Sequence, residues 1–308
     1  MKQKLFILGI GGLTGYKIAL QLKNDFDLYG SFNLRNPKLD SVTSFKLDVT
    51  DFKNLTKIIL DYHPEFIINT CALNNVDYCE SHKDEAKKIN IDFVNHLSQI
   101  SESINCKLVH LSTDSVFDGN KKTPYVETDK PNPINVYGHT KMMGEKSVLK
   151  NSNNLVVRAS VLYGWLPTYL SNLTSSSMKP INFAQWLITK LTSKDEVQII
   201  QDEQSSPIIA DDFANSIIHL LKNDHSGIFH SAPNISINRY DFSKKLADTL
   251  DLDSNLIKPV SIEKLGRNVK TGINKCLDST KIQTLTKFKF LSLDDSLLLL
   301  KNQFLARN

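Results

Sequence analysis

The segment "KLFILGIGGLTGYKIALQLK", residues 4–23, joins a short apolar run to a helical pattern through a glycine-rich turn. The run predicts a buried strand, and the apolar residues of "YKIALQLK" recur at the spacing of an amphipathic helix. Glycines at this point permit a tight turn, close approach of a pyrophosphate and close packing of helix on strand. Free N–H groups at the helix start favour phosphate binding. We therefore expect Gly9, Gly12, Leu13 and Gly15 to contact a dinucleotide.

Short apolar runs continue through the first half of the chain and alternate with stretches of helical periodicity. The predicted strands are Lys4–Leu8, Asp27–Phe32, Ser44–Asp48, Glu65–Asn69, Lys107–Ser112 and Asn154–Ser160. Helical periodicity is clearest at Ser81–Ser103 and Asn135–Lys150. Repeated β-α-β units with continuous apolar strands predict an α/β fold with a doubly wound parallel sheet, the Rossmann architecture.

The pattern changes near residue 160. We expect residues 1–160 to form a dinucleotide-binding Rossmann domain. Residues 161–308 should form mainly a smaller substrate-binding region, with some segments returning to the sheet. The polar stretch Trp165–Pro180 is long enough to act as a lid or to contact substrate. Predicted elements beyond it are helices at Asn182–Thr192 and Asp211–Lys222 and strands at Val197–Gln201 and Gly227–Ala232.

Composition and charge argue against several classes of protein. With 308 residues and 41% hydrophobic content, the chain can bury a sizeable core. The net charge is only +4 and the basic residues are scattered, so we expect no nucleic-acid polymer as a partner. No apolar run approaches the roughly 20 residues that a membrane-spanning helix needs. The cysteines lack CxxC and metal-ligand spacing, so we expect reduced thiols, no metal and a cytoplasmic location.

The end of the second predicted strand indicates which cofactor the site prefers. An NAD site usually places an acidic residue there to hold the ribose 2′-hydroxyl. This chain has "YGSFNLRNPK" instead, residues 29–38, with no acid at the strand end. Ser31, Asn33 and Arg35 are suited to a 2′-phosphate, with Arg35 as its charged partner. We therefore predict NADPH, with NADH as the alternative.

A tyrosine and a lysine stand four residues apart twice, as Tyr137 with Lys141 and as Tyr240 with Lys244. This spacing places both side chains one turn apart on one helix face, but it also arises by chance in a lysine-rich chain. Only the first copy follows a strand that ends in hydroxyl-bearing residues, "STD" at 112–114. We therefore interpret Tyr137 and Lys141 as a proton-transfer pair and the second copy as packing or surface.

The longer motifs resemble those of the extended short-chain dehydrogenase/reductase superfamily, and within it the dTDP-4-dehydrorhamnose reductases. The resemblance rests on "GIGGLTG", "LDVTD", "NTCALNNVDYCE", "LVHLSTDSVFDG", "PYVETDKPNPINVYGHTKMMGE" and "VVRASVLYG". It implies a catalytic triad of Thr113, Tyr137 and Lys141, supported by Ser112. It further implies that Asp48 and Val49 lie beside the adenine and that Cys71 and Ala72 line the cofactor channel.

The expected chemistry is reduction of a carbonyl group. Tyr137 would give a proton to the carbonyl oxygen while Thr113 polarises it. A neighbouring Lys141 ammonium should favour tyrosinate, lower the pKa of Tyr137 and hold the nicotinamide ribose. The resemblance implies a nucleotide-linked 4-keto-6-deoxy sugar as substrate.

Three positions depart from the rhamnose branch. Ser115 stands where a tyrosine is usual, Val161 where a tryptophan is frequent, and Lys17 where some members carry an acid that supports a magnesium-linked dimer. We therefore expect a monomer or a homodimer without that metal. Two alternative functions stay open: a non-catalytic, cofactor-binding regulatory subunit of another enzyme, and a sugar-nucleotide epimerase.

Overall fold

A computed structural model describes residues 2–171, 182–266 and 269–306. The strands are β1 (Lys4–Leu8), β2 (Asp27–Phe32), β3 (Thr43–Lys46), β4 (Phe66–Asn69), β5 (Lys107–Thr113), β6 (Leu155–Ala159), β7 (Leu162–Tyr163), β8 (Val197–Ile200), β9 (Gln204–Ser205), β10 (Ile208–Ile209), β11 (Gly227–Ser231), β12 (Ile237–Asn238) and β13 (Ile257–Val260).

The helices are α1 (Leu13–Leu22), α2 (Phe52–Tyr62), α3 (Val76–Ser81), α4 (Lys83–Lys87), α5 (Phe93–Ser103), α6 (Val136–Val148), α7 (Thr168–Ser171), α8 (Phe183–Thr192), α9 (Ala210–Lys222), α10 (Arg239–Thr249), α11 (Ile262–Leu265), α12 (Thr280–Thr286) and α13 (Leu293–Leu305). A π-helical turn, Lys88–Asp92, joins α4 to α5. The predicted helix Ser81–Ser103 therefore contains a wide turn that its apolar periodicity does not reveal.

A seven-stranded parallel sheet forms the centre of the molecule, in the order β11-β6-β5-β4-β1-β2-β3. The chain winds outward from β1 in both directions, which confirms the doubly wound Rossmann fold. Strand β11 comes from the second half of the chain and extends the sheet beyond β6.

Alternate residues of each strand pack on opposite faces of the sheet. Leu5 and Ile7 join a core that includes Ala19 of α1 and Phe213 of α9. Phe6 and Leu8 join a second core with residues of α2 and α5. This alternation is the pleat of a strand that is buried on both sides, so the sheet and its covering helices form a rigid support for the loops at its edge.

A separate apolar cluster unites the later elements. Leu187 of α8, Ile199 of β8, Leu246 of α10 and Leu297 of α13 are buried within it. Strand β8 pairs in parallel with β13, outside the central sheet. The second half of the chain thus contributes one strand to the Rossmann sheet and builds a smaller core of its own.

Candidate functional site

The glycine loop, residues 9–15, follows β1 at the carboxyl edge of the sheet and leads into α1. Gly9 has a φ of +92°, and a Cβ at Gly15 would lie 2.3 Å from the Gly9 carbonyl oxygen, so both positions need glycine. A Cβ at Gly12 would meet nothing closer than 3.5 Å. No described side chain caps the N-terminus of α1, which begins at Leu13. The loop therefore offers space and helix N–H groups, and it fits the pyrophosphate of a dinucleotide.

The end of β2 lies directly against this loop. The Ser31 carbonyl accepts hydrogen bonds from the N–H groups of Gly9 and Ile10, at 3.0 and 2.9 Å. A Cβ at Gly11 would lie 2.2 Å from the carbonyl oxygen of Arg35. Gly11 is a site residue that the sequence analysis missed, although the doubled glycine in "GIGG" was its signal.

The 2′-phosphate candidates differ in exposure. Asn33 is exposed and Arg35 is half-buried. Burial lowers the pKa of the Arg35 guanidinium, which nevertheless stays charged at neutral pH because arginine loses its proton only at very high pH. Arg35 is therefore a positively charged residue whose backbone borders the glycine loop at Gly11.

Asp48 and Val49 lie just beyond β3, which pairs with β2. Asp48 accepts hydrogen bonds from the N–H and hydroxyl of Thr50, at 2.9 and 2.8 Å. Val49 packs against the core on the α2 side of the sheet. The two predicted adenine neighbours thus stand at the same sheet edge as the Ser31–Arg35 segment.

Cys71 and Ala72 follow β4 and are both half-buried. A Cβ at Gly9 would lie 2.9 Å from the Cys71 sulfur, so the thiol borders the glycine loop. Burial raises the pKa of Cys71 to about 12, and Lys141 opposes that rise. Cys71 is therefore a neutral group between the glycine loop and the predicted catalytic lysine.

Strand β5 brings its terminal hydroxyls to the same edge. Thr113 donates to Asp114 Oδ1 at 3.1 Å and accepts the Ser115 N–H at 3.1 Å. The other oxygen of Asp114 accepts the Ser160 hydroxyl at 2.8 Å. Asp114 thus holds Thr113 in place, while the Ser112 hydroxyl is buried without a partner among the described residues. Such an unsatisfied group at a sheet edge is suited to a bound molecule.

Helix α6 begins against the end of β5. The Asn135 side chain accepts the Gly138 N–H at 2.8 Å and caps the helix. A Cβ at Gly138 would lie 2.0 Å from the Ser115 carbonyl oxygen, so any larger residue would push α6 away. Gly138 is a second positioning residue that the sequence analysis missed.

This close approach brings the two predicted hydroxyls together. Burial is the main cause that raises the pKa of Tyr137, and a hydrogen bond with Thr113 opposes the rise. Tyr137 is therefore a protonated hydroxyl at neutral pH. That is the form needed to donate a proton to a substrate.

Lys141 lies one turn further along α6 and is only 2% exposed. Its Nζ donates to the Leu111 carbonyl oxygen at 2.6 Å and lies 3.1 Å from His110 Nε2. Burial lowers the pKa of Lys141 to about 8, while Glu145 and Cys71 oppose the change.

The pKa of Tyr137 does not change in the direction that the sequence analysis expected from a neighbouring Lys141. An adjacent ammonium would lower the pKa of the tyrosine, but the pKa of Tyr137 is raised. The reason is that Lys141 turns toward β5, and the low-polarity surroundings of Tyr137 outweigh the hydrogen bond with Thr113. The three predicted catalytic residues share one region, but the lysine contacts the strand.

Asn90 joins the loop after β4 to α6. Its side chain accepts the Leu73 N–H at 2.9 Å and donates to the Leu73 carbonyl and the Thr140 hydroxyl, both at 3.0 Å. It belongs to the π-helical turn between α4 and α5, and π-turns are frequent at functional sites. Asn90 braces the site.

The second tyrosine-lysine copy has a structural role. Tyr240 packs against the separate apolar cluster of the later elements, and Lys244 donates to the Ser254 carbonyl oxygen at 3.0 Å. These contacts agree with the interpretation of this copy as packing.

The predicted lid is described only in part. Trp165–Ser171 lies within the described residues, whereas positions 172–180 lie outside them. Leu166 and Leu170 pack against Leu13 and Tyr16 of α1. The first part of this segment therefore covers the side of α1 near the glycine loop.

Lys17 forms contacts within the chain. Its Nζ lies 3.0 Å from Asp211 Oδ1 and 3.0 Å from Gln303 Oε1, and thereby ties α1 to α9 and α13. All four cysteines are free thiols.

Among residues 2–171, 182–266 and 269–306, no group of three or more His, Cys, Asp or Glu side chains could hold a metal ion. No helix of the described chain is long and apolar enough to cross a membrane.

The comparison with protein families agrees with this geometry. The profile of the RmlD substrate binding domain matches residues 3–303. The chain belongs to this family. The motif-based resemblance to dTDP-4-dehydrorhamnose reductases is thereby confirmed.

Individual relatives cover almost the whole chain. A probable low-salt glycan biosynthesis reductase of Haloferax volcanii is 28% identical over 97% of both chains. The beta subunit of methionine adenosyltransferase 2 from Bos taurus is 28% identical over 92% of this chain and 82% of its own length. The crystal structure of a dTDP-4-dehydrorhamnose reductase from Bacillus anthracis in complex with NADP has a TM-score of 0.84 and 25% identity, covering 97% of this chain and 99% of that one.

Proposed function

We propose that this protein is an NADPH-dependent reductase of a nucleotide-linked 4-keto-6-deoxy sugar. The observation that carries the proposal is the proximity of Tyr137, at the start of α6, to Thr113 at the end of β5. Cys71 lies between the nearby Lys141 and Gly9 of the glycine loop. A proton donor thus stands close to a loop suited to a dinucleotide.

The cofactor assignment rests on charge and space at the glycine loop. The pyrophosphate would bind at the uncapped N-terminus of α1, where it would contact Gly9, Gly12, Leu13 and Gly15. The positive charge of Arg35, together with Ser31 and Asn33, favours a 2′-phosphate and therefore NADPH over NADH. The NADP bound to the Bacillus anthracis reductase supports the same choice.

The remaining cofactor contacts follow the order of the strands. Asp48 and Val49 would lie beside the adenine, and Cys71 and Ala72 would line the path toward the nicotinamide. We assign cofactor binding to residues 1–160 and sugar binding mainly to residues 161–308. A monomer or a homodimer is compatible with this assignment.

The chain's own contribution to the reaction is proton donation and polarisation. When bound, the cofactor supplies hydride to the carbonyl carbon of the sugar. Tyr137 donates its hydroxyl proton to the carbonyl oxygen, and Thr113 donates a hydrogen bond to the same oxygen. For that step Thr113 must turn its hydroxyl hydrogen from Asp114, its present acceptor, toward the substrate. Lys141 would hold the nicotinamide ribose.

The dehydrorhamnose reductase likeness supports the substrate class. A second candidate function is a cofactor-binding subunit of another enzyme, which the likeness to the beta subunit of methionine adenosyltransferase 2 favours. The two functions differ in turnover: a reductase consumes NADPH with a keto-sugar, whereas a subunit binds the cofactor and co-purifies with its partner enzyme.

The deciding experiment is NADPH oxidation with dTDP-4-keto-6-deoxy-L-mannose generated in place, comparing the wild type with Tyr137→Phe. Removal of a general acid should reduce kcat by roughly a hundred- to ten-thousand-fold. Phenylalanine keeps the aromatic ring and removes only the hydroxyl group, so the variant should still fold. An unchanged affinity for NADPH is the control that shows this. Full activity of the variant would refute the role of Tyr137, and absence of turnover with any keto-sugar would favour the subunit function.

The same assay tests the cofactor preference. The wild type should use NADPH at lower concentration than NADH, and Arg35→Glu should reverse or abolish this preference because the 2′-phosphate would then meet a negative charge. An unchanged preference in the variant would remove Arg35 from the 2′-phosphate site.

A further inference from the structure

Among the described residues, no carboxylate forms a hydrogen bond with the buried amine of Lys141. Its described partners are the Leu111 carbonyl oxygen at 2.6 Å and His110 Nε2 at 3.1 Å. Glu145, one turn further along α6, uses both carboxylate oxygens to bind Arg158. The protonation of Lys141 therefore depends strongly on whether His110 Nε2 acts as a hydrogen-bond donor or as an acceptor.

The amide of Asn69 determines the tautomer of His110. Asn69 and His110 are register partners on β4 and β5, and both side chains are fully buried. Asn69 Oδ1 accepts the Cys71 N–H at 3.0 Å, so its Nδ2 is the atom that faces His110 Nδ1 at 3.1 Å. An amide nitrogen can only donate, and His110 Nδ1 must therefore be the unprotonated acceptor.

The proton of the neutral imidazole then lies on Nε2, which faces Lys141. Burial, reinforced by Lys141, lowers the pKa of His110 well below its usual value, so the ring carries a single proton. An ammonium at Lys141 would place two donors against each other across 3.1 Å. A neutral amine can instead accept the His110 N–H while it donates to Leu111.

We propose that Asn69 and His110 form a buried hydrogen-bond chain that positions Lys141 and favours its neutral amine through donation from His110 Nε2. His110 is a positioning residue, because it acts on the proposed site only through Lys141. This inference rests on the proposed function for its consequence: a lysine that takes up a proton from water near neutral pH can, as the ammonium, return to Tyr137 the proton that the tyrosine gives away.

The other charged and titratable groups around Lys141 do not replace this effect. Glu145 faces it from α6 and favours the ammonium, but that carboxylate is paired with Arg158. Cys71 faces it from the loop after β4 and is a neutral thiol because burial raises its pKa to about 12. His110 is the neighbour on β5.

The test is a titration of Lys141 by NMR of the lysine side chains in purified protein without added cofactor, with Lys141→Met to assign the signal. His110→Asn keeps an acceptor for Asn69 but is too short to donate to the lysine. His110→Gln keeps an N–H donor near the position of Nε2. Asn69→Ala retains His110 and frees it to adopt the other tautomer, in which Nε2 accepts from an ammonium.

We expect Lys141 to titrate below its ordinary pH in the wild type, where it is buried, and at the same pH as the wild type in His110→Gln. In His110→Asn and Asn69→Ala its pKa should rise by about 1 or more, a tenfold change in the protonation equilibrium. The same pKa in all four folded proteins, or a wild-type lysine that titrates at its ordinary value, would overturn the proposal. Denaturant unfolding identifies any variant that fails to fold, and the remaining variant with the same expected rise then tests the proposal.

An activity readout separates this proposal from the proposed function. If the reductase function holds, the alkaline limb of the kcat/KM profile should move upward in His110→Asn and stay in place in His110→Gln. The NMR titration needs no substrate. A protein without turnover would therefore contradict the proposed function, whereas unmoved lysine signals would contradict only the hydrogen-bond chain.

Discussion

Two buried clusters share helix α6 and surround a basic side chain in opposite ways. The lysine cluster contains Lys141, His110 and Asn69, whereas the arginine cluster contains Arg158, Glu145 and His230. Arg158 meets Glu145 through two hydrogen bonds of 2.8 and 2.7 Å. The described hydrogen-bond partners of Lys141 are the neutral His110 ring and the Leu111 carbonyl, and neither is a carboxylate. The arginine cluster fixes a charge, and the lysine cluster leaves the charge of its amine free to change.

The two histidines show the same contrast. His230 Nδ1 lies 3.0 Å from the Tyr125 carbonyl oxygen, which can only accept, so Nδ1 carries the proton and Nε2 accepts from Arg158 at 3.3 Å. In the lysine cluster Nδ1 accepts from an amide and Nε2 donates. A histidine that accepts suits a permanently charged arginine, and a histidine that donates suits a lysine that loses its proton.

The largest expected effect comes from breaking the fixed pair. Glu145→Gln should lower the free energy of unfolding by about 3–5 kcal/mol, because it leaves the Arg158 charge buried without its carboxylate. Urea unfolding measures the change. The double variant Glu145→Gln/Arg158→Met should recover most of the loss, and a double variant as unstable as the single one would mean that the ion pair is not the cause.

Above neutral pH, the lysine cluster should show a dependence of stability on pH that the arginine cluster lacks. Burial lowers the pKa of Lys141 to about 8 from an ordinary value of 10.5. Between these values the unfolded chain binds the proton and the folded chain does not, so stability rises with pH. Relative to Lys141→Met, the wild type should gain about 3 kcal/mol between pH 7.5 and 10.5.

Urea unfolding at the two ends of this range measures the gain. The matched control is Lys146→Met, at an exposed position of α6, compared with the wild type over the same range. A constant difference between the wild type and Lys141→Met would show that Lys141 titrates at its usual pH.

The smallest expected effect is a change in the free energy of unfolding at acidic pH, caused by His230. Burial, and next the charge of Arg158, lowers the pKa of His230 from 6.5 to about 3. Between these values the unfolded chain binds a proton that the folded chain excludes, so stability falls as pH falls. His230→Asn should reduce the slope of unfolding free energy between pH 4 and 6 by about 1.4 kcal/mol per pH unit. His139→Asn, at an exposed position of α6, is the control, and an equal slope in both variants would contradict the assignment.

Sequence patterns predicted much of this molecule because they arise from local constraints. Lys4–Leu8 and Asp27–Phe32 are strands with the predicted bounds, since continuous apolar runs reveal strands buried on both faces. The glycine loop and the start of α6 were also predictable, because a turn and a helix cap have local residue requirements. The motifs placed Thr113 and Tyr137 in one region for the same reason.

What the sequence alone determined is the order of strands and helices and the set of residues that reach one edge of the sheet, since both follow from hydrophobic periodicity and turn chemistry. Tertiary structure decided the environment of each group. Gly138 is essential only because Ser115 lies above it, and the pKa of Lys141 falls because the fold buries its amine against β5. Desolvation and hydrogen-bond direction depend on neighbours that are distant in the chain, so they emerge only when the fold brings them together.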